Sequence, residues 1–77
     1  MTRNNIKDLF LKNSVTGVKT LNFLNSIKNE QNFKEVDKSL NKVMDCKFKA
    51  DLANLVYSLY LKKIITIEQI ETLIVKF

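Results

Sequence analysis

Apolar side chains recur at spacings of three and four residues through the last third of the chain, which predicts two helices there. The first helix would present one apolar face made of Leu52, Leu55, Val56, Leu59 and Tyr60. The second would present Ile67, Ile70, Leu73, Ile74 and Phe77. The two helices are expected to join at about residues 63–65.

The start of the last helix has the strongest local signal in the chain. The hydroxyl of Thr66 can accept a hydrogen bond from a free first-turn amide, and Gln69 follows three residues later, as a capping box requires. Ile65 and Ile70 flank the cap where a hydrophobic staple places its two side chains. Residues 64–67 and 72–75 are rich in β-branched residues and would also suit strands. The capping signature favours the helix.

The first third of the chain predicts two further helices. A short one is expected around Ile6, with Asn4 or Asn5 as its cap, and Gly17 marks the expected bend after it. A second helix should cover about residues 18–28, because apolar residues repeat every three positions. Those residues are Val18, Leu21, Leu24 and Ile27. The polar residues 29–32 are expected to connect it to the next helix.

A third amphipathic helix is expected in the middle of the chain, and it should break near residues 45–49. Its apolar stripe would consist of Phe33, Val36, Leu40, Val43 and Met44. The chain has no Pro and a single Gly, so few residues interrupt helices. The sequence therefore predicts an all-α fold, a compact bundle of four to five short helices in a single domain spanning residues 1–77.

The net charge of +5 is unevenly distributed along the chain. Residues 1–50 carry ten Lys or Arg against five Asp or Glu, whereas residues 51–77 carry three against three. Four lysines on the third helix fall within about a quarter of its circumference. They are Lys34, Lys38, Lys42 and Lys49. A phosphate-binding stripe and an ordinary solvated helix face both fit this pattern, and abundant Lys, Asn and Ile also suit an AT-rich bacterial or phage genome.

The residues needed for catalysis are missing or isolated. There is no His to serve as a base for Cys46 or for a serine nucleophile, and one Cys without His cannot make a zinc site. With a single Gly there is no phosphate-cradling loop. We therefore expect a non-enzymatic protein without cofactor or metal. A lone Cys and no stretch long enough to span a membrane favour a cytoplasmic location.

The string LANLVYSLYLKKI at residues 52–64 resembles a tract of the Hha/YmoA family of small helical modulators of nucleoid proteins. The similarity extends back through residues 19–24 and the region of Phe33. This chain lacks the charged Asp-His-Arg run before that tract and the Pro and Trp after it, so no functional residue is transferred. The resemblance implies a small all-helical regulator.

Two functions follow from these patterns. The first is a small regulatory or inhibitory protein that binds another protein, or a second copy of itself, through an apolar helical surface with a basic edge. Its candidate residues, which would divide between core and interface, are Leu55, Leu59, Ile70 and Ile74. The alternative is a nucleic-acid-associated or nucleoid-associated modulator of transcription that uses the four lysines on phosphates. A position on anionic membranes is disfavoured, because no single helix combines a lysine face with interfacial aromatics.

Overall fold

The computed structural model describes residues 3–77, which form five α-helices. These are α1 (Arg3–Lys12), α2 (Gly17–Ile27), α3 (Phe33–Asp45), α4 (Lys49–Leu61) and α5 (Ile67–Lys76). Residues 3–77 contain no strand, so the strand alternative for residues 64–67 and 72–75 is wrong. The all-α prediction and the predicted break after the third helix are confirmed.

The helices enclose one hydrophobic core. α1 packs mainly against α4, and α2 packs mainly against α3, while α3 and α4 also touch and α5 closes against α2. The largest fully buried side chains come from α1, α2 and α5. They are Phe10, Phe23, Ile6, Leu24, Ile70 and Leu73. None of the five helices is long and apolar enough to cross a bilayer.

Two helices end with a residue in the left-handed backbone region, and neither residue is glycine. Ser14 has φ 53° and Lys63 has φ 63°. After α4, the amide of Ile64 donates to the Leu59 carbonyl at 3.0 Å and that of Lys63 to the Tyr60 carbonyl at 3.0 Å, which is the Schellman pattern. After α1, the amide of Val15 donates to the Phe10 carbonyl at 3.1 Å.

Gly17 does not make the bend predicted for it, because Ser14 reverses the chain instead. Gly17 is the first residue of α2, and its φ is not positive. The cap of α2 is Thr16, whose hydroxyl accepts from the Lys19 amide at 3.1 Å. A Cβ at Gly17 would lie 3.8 Å from Val43 Cγ1, an ordinary contact.

The start of α1 also differs from the prediction. The helix already includes Arg3, so Asn4 and Asn5 lie inside its first turn, and neither is the residue before the helix. A cap must precede the first helical residue to leave its side chain free to reach a later amide. The prediction that Asn4 or Asn5 caps α1 is therefore wrong.

The buried face of α2 agrees with the predicted one except at its start. Leu24 is buried as predicted and Leu21 and Ile27 are half-buried against the core, whereas Val18 is exposed. Thr20 and Phe23, which were not predicted, are also buried. Thr20 can occupy a core position because its hydroxyl donates to the Thr16 carbonyl at 2.9 Å, which satisfies the polar group inside the protein.

The predicted stripe of α3 is buried only in its central part. Val36 and Val43 are buried and Leu40 is half-buried, whereas Phe33 and Met44, at the two ends of the helix, are exposed. Met44 directly follows the buried Val43, so periodicity identifies the buried side of α3 without burying every residue assigned to it. The placement of Phe33 and Met44 in the core face is wrong.

Candidate functional site

The turn between α4 and α5 is built by local signals that the sequence showed. Thr66 caps α5 by accepting from the Gln69 amide at 3.2 Å, and the Gln69 side chain accepts from the Thr66 amide at 2.8 Å. This is the predicted capping box, and it is confirmed. Ile65 and Ile70 on either side of the cap are both buried. The entry into α5 is therefore firmly anchored.

Two open concavities adjoin at this turn and share one exposed side chain, Leu61. The larger, of about 620 Å³, is lined by Tyr60, Leu61, Lys63, Ile65, Thr66, Ile67 and Glu68. The smaller, of about 340 Å³, is lined by Asn54, Tyr57, Ser58, Leu61 and Lys62. We use the name α4–α5 surface for Tyr57, Tyr60, Leu61 and Ile67 with the adjacent Lys62 and Lys63.

The α4–α5 surface combines partly exposed apolar groups with two lysines. Leu61 is 60% exposed, and the half-buried rings of Tyr57 and Tyr60 lie 6.2 Å apart, tilted by 35°. Lys62 forms an ion pair with Glu35 of α3 at 3.2 Å. The surface therefore offers an apolar centre with a basic edge.

The four residues predicted for partner binding divide between the core and its margin. Leu59 is 2% exposed and Ile70 is fully buried, so neither can touch a partner in this conformation. Leu55 and Ile74 are half-buried and pack against the core. The helical stripe thus identified mostly core residues. Leu61 was not predicted because it lies outside the apolar stripe of α4. A large apolar residue outside such a stripe is the sequence signal that could have identified it.

Three of the four lysines predicted to share one helix face lie on the same helix in the structure. Lys34, Lys38 and Lys42 are exposed on α3, and none of them forms an ion pair within residues 3–77. Lys49 is half-buried and begins α4, so it lies beyond the break and not on the same helix.

The lysines of α3 and Lys62 lower the pKa of the neighbouring carboxyl group of Glu35. The hydrogen bond from Lys62 lowers the pKa of Glu35, and the positive charge of Lys62 lowers it further. Burial opposes the shift, while the charges of Lys38 and Lys42 add to it. The positive charges of α3 and of the end of α4 therefore act on one region of the surface.

Cys46, between α3 and α4, has none of the features of an activated thiol. It is half-buried, and burial raises its pKa, with the negative charges of Asp51 and then Asp45 adding to the effect. A raised pKa keeps the thiol protonated and weakly nucleophilic at neutral pH. Among residues 3–77, no three His, Cys, Asp or Glu side chains are placed to hold a metal ion.

Comparisons with protein-family models, with curated proteins and with solved structures found no match to this chain. The resemblance of residues 52–64 to the Hha/YmoA family therefore stays a prediction. In the structure that tract forms most of α4 and the turn that follows it.

Proposed function

We propose that this chain is a small non-enzymatic regulatory or inhibitory protein that binds another protein through the α4–α5 surface. The observation that carries the proposal is the pair of adjoining concavities separated by the exposed side chain of Leu61. A partner could place one apolar side chain in each concavity and enclose Leu61 between them. Tyr57 and Tyr60 suit such a site, since tyrosine is enriched among the residues that dominate binding energy.

The charges of the surface favour a partner with acidic residues around an apolar contact. Lys62 and Lys63 follow Leu61 directly. Lys62 is paired with Glu35 and Glu68 lines the larger concavity, so Lys63 is the lysine of this edge that forms no ion pair among residues 3–77. Opposite charges at the rim of an interface mainly raise the association rate and select the partner, while the apolar centre provides most of the affinity.

Replacing Leu61 by Gln tests the proposal. Glutamine keeps a good helix former at the end of α4 but removes the apolar anchor, and an exposed substitution should leave stability nearly unchanged. Loss of a central anchor costs about 2 kcal/mol, or roughly thirtyfold in Kd. The matched control is Val75→Gln, because Val75 is 81% exposed on α5 and lies outside the α4–α5 surface.

The assay is affinity capture with the tagged protein from nuclease-treated lysate of the source organism, followed by titration of the captured protein. Wild type and Val75→Gln should retain one stoichiometric protein that Leu61→Gln loses. Equal retention by all three, or no retained protein, would refute the proposal. Concentration-dependent sedimentation of the pure protein, abolished by Leu61→Gln, would identify the partner as a second copy.

The second candidate function, binding to nucleic acid, is favoured by the three exposed lysines of α3. Lys34, Lys38 and Lys42 are spaced by four residues, lack ion-pair partners among residues 3–77, and so can face phosphates. Replacing all three by Gln should flatten the logarithmic salt dependence of duplex binding by about three units. Absence of duplex retention at low salt would exclude this function.

A further inference from the structure

The fold brings two turns together at one end of the bundle, and this end concentrates positive charge. The turns join α1 to α2 and α3 to α4, and they are adjacent because a Cβ on Gly17 would lie 3.8 Å from Val43 Cγ1. We use the name lysine-rich end for residues 9–20 and 42–52, which comprise these turns and the helix turns beside them.

The lysine-rich end holds five lysines and two aspartates, an excess of three positive charges. The lysines are Lys12, Lys19, Lys42, Lys47 and Lys49. The opposite end, residues 24–36 and 58–70, holds four lysines and three glutamates, an excess of one. Of these two sets of residues, the lysine-rich end carries the larger positive excess, and such an excess attracts anionic surfaces.

Four large apolar side chains project into solvent at the same end. They are Leu11, Val18, Met44 and Phe48, contributed by three helices and a connection between helices. Met44 is 73% exposed and Phe48 is 70% exposed. Because they belong to separate segments, they do not form the face of any one helix. This is why inspection of single helices did not find a lysine surface with an interfacial aromatic.

Phe48 occupies a position where a polar side chain would cap a helix. It is the N-cap residue of α4, with φ −123° and ψ 151°, and its side chain makes no capping hydrogen bond. Ser, Thr, Asn or Asp at this position would satisfy a first-turn amide. A phenylalanine there provides no side-chain cap and leaves an aromatic ring largely in water, where it is available for an apolar contact.

We propose that the lysine-rich end binds the surface of an anionic lipid bilayer, with Phe48 and Met44 inserted among the headgroups. Lys47 and Lys49 flank Phe48 in sequence and would lie against the anionic headgroups. A bilayer uses both components, because apolar insertion and electrostatic attraction add in interfacial binding. Nucleic acid would use the lysines and leave the apolar side chains in water. The concavities suited to a protein partner lie at the opposite end, around Leu61.

The test is co-sedimentation with large unilamellar vesicles, either pure phosphatidylcholine or phosphatidylcholine with about three tenths phosphatidylglycerol. We expect the protein to bind the anionic vesicles and not the neutral ones. Phe48→Ser should weaken binding about tenfold, because it removes the largest inserted side chain. The same substitution supplies a capping hydroxyl and should raise the midpoint of thermal unfolding by a few degrees, so lost binding cannot be ascribed to unfolding.

Two further variants complete the design. Lys47→Gln combined with Lys49→Gln should weaken binding to anionic vesicles about tenfold, because two cationic side chains near the surface are lost. Phe33→Ser makes the same change at an exposed phenylalanine of the opposite end and should bind like wild type.

The proposal is overturned if anionic vesicles at low ionic strength retain no protein. It is also overturned if Phe48→Ser binds like wild type, since charge alone would then explain retention. Competition in which duplex DNA removes the protein from vesicles completely, with no difference between wild type and Phe48→Ser on either surface, would assign the lysine-rich end to nucleic acid instead.

Discussion

Lys63 closes α4 in a backbone conformation that favours glycine, so Lys63→Gly should stabilise the protein. Its φ of 63° lies in the left-handed region, where an L-residue's Cβ crowds the following carbonyl oxygen. The two Schellman hydrogen bonds hold the residue there, and both are made by backbone groups that glycine retains. The substitution should therefore remove the steric cost without disturbing the turn.

The expected gain follows from two opposing terms. A non-glycine residue in the left-handed region costs about 1–2 kcal/mol. Glycine itself destabilises the folded state by about 0.5–1 kcal/mol, because it loses more conformational freedom on folding than other residues do. The net gain in the free energy of unfolding should be about 0.5–1 kcal/mol, which raises the midpoint of thermal unfolding by about 3–6 °C in a chain of this size.

Thermal and urea unfolding followed by far-ultraviolet circular dichroism would measure this difference. The matched control is Lys63→Ala, which removes the same charge and aliphatic chain but keeps the Cβ. We expect Lys63→Ala to have the same unfolding midpoints as wild type and Lys63→Gly to have higher midpoints than both. Equal stability of the glycine and alanine variants would show that the left-handed conformation carries no cost, and the reasoning would fail.

Three further predictions concern helix ends and one ion pair. Gly17→Ala should raise the free energy of unfolding by about 0.5 kcal/mol, because the position has room for a Cβ and alanine restricts the unfolded chain; a lower urea midpoint would contradict this. Thr66→Ala should lower the free energy of unfolding by about 1 kcal/mol, because the capping box with Gln69 is lost. Thr66→Ser keeps the capping hydroxyl and should retain most of that stability. Since Lys62 lowers the pKa of Glu35 in the folded state, the carboxylate stabilises the protein above its unfolded pKa, and this contribution is lost as pH falls through the folded pKa. Wild type should accordingly exceed Glu35→Gln in melting temperature at neutral pH and lose the advantage in acid, and a pH-independent difference would count against the ion pair.

The elements that sequence reasoning predicted correctly depend on short-range interactions. The capping box at Thr66 joins residues three apart, and the break between α3 and α4 follows a local loss of helical pattern. The row of Lys34, Lys38 and Lys42 is likewise local, because residues four apart share a helix face wherever the helix forms. Such features need no knowledge of the rest of the molecule.

The candidate site was harder to predict, because exposure depends on which helix covers which face. Leu59 and Ile70 follow perfect helical spacing, and that spacing placed them in the core and not in an interface. Leu61 is exposed because α4 ends there and no other element covers it. Periodicity identifies one face of a helix but does not say how much of that face the neighbouring helices bury.

By itself, the sequence determined the helical class, the approximate extent of the helices and the cap of α5, since these follow from hydrogen bonds and side-chain spacing within a few residues. Only the tertiary structure decided that Ser14, not Gly17, reverses the chain after α1, and that Phe48 and Leu61 remain in water at opposite ends of the bundle. Both outcomes depend on packing between helices far apart in the chain. That packing also gathered separate lysines at one end.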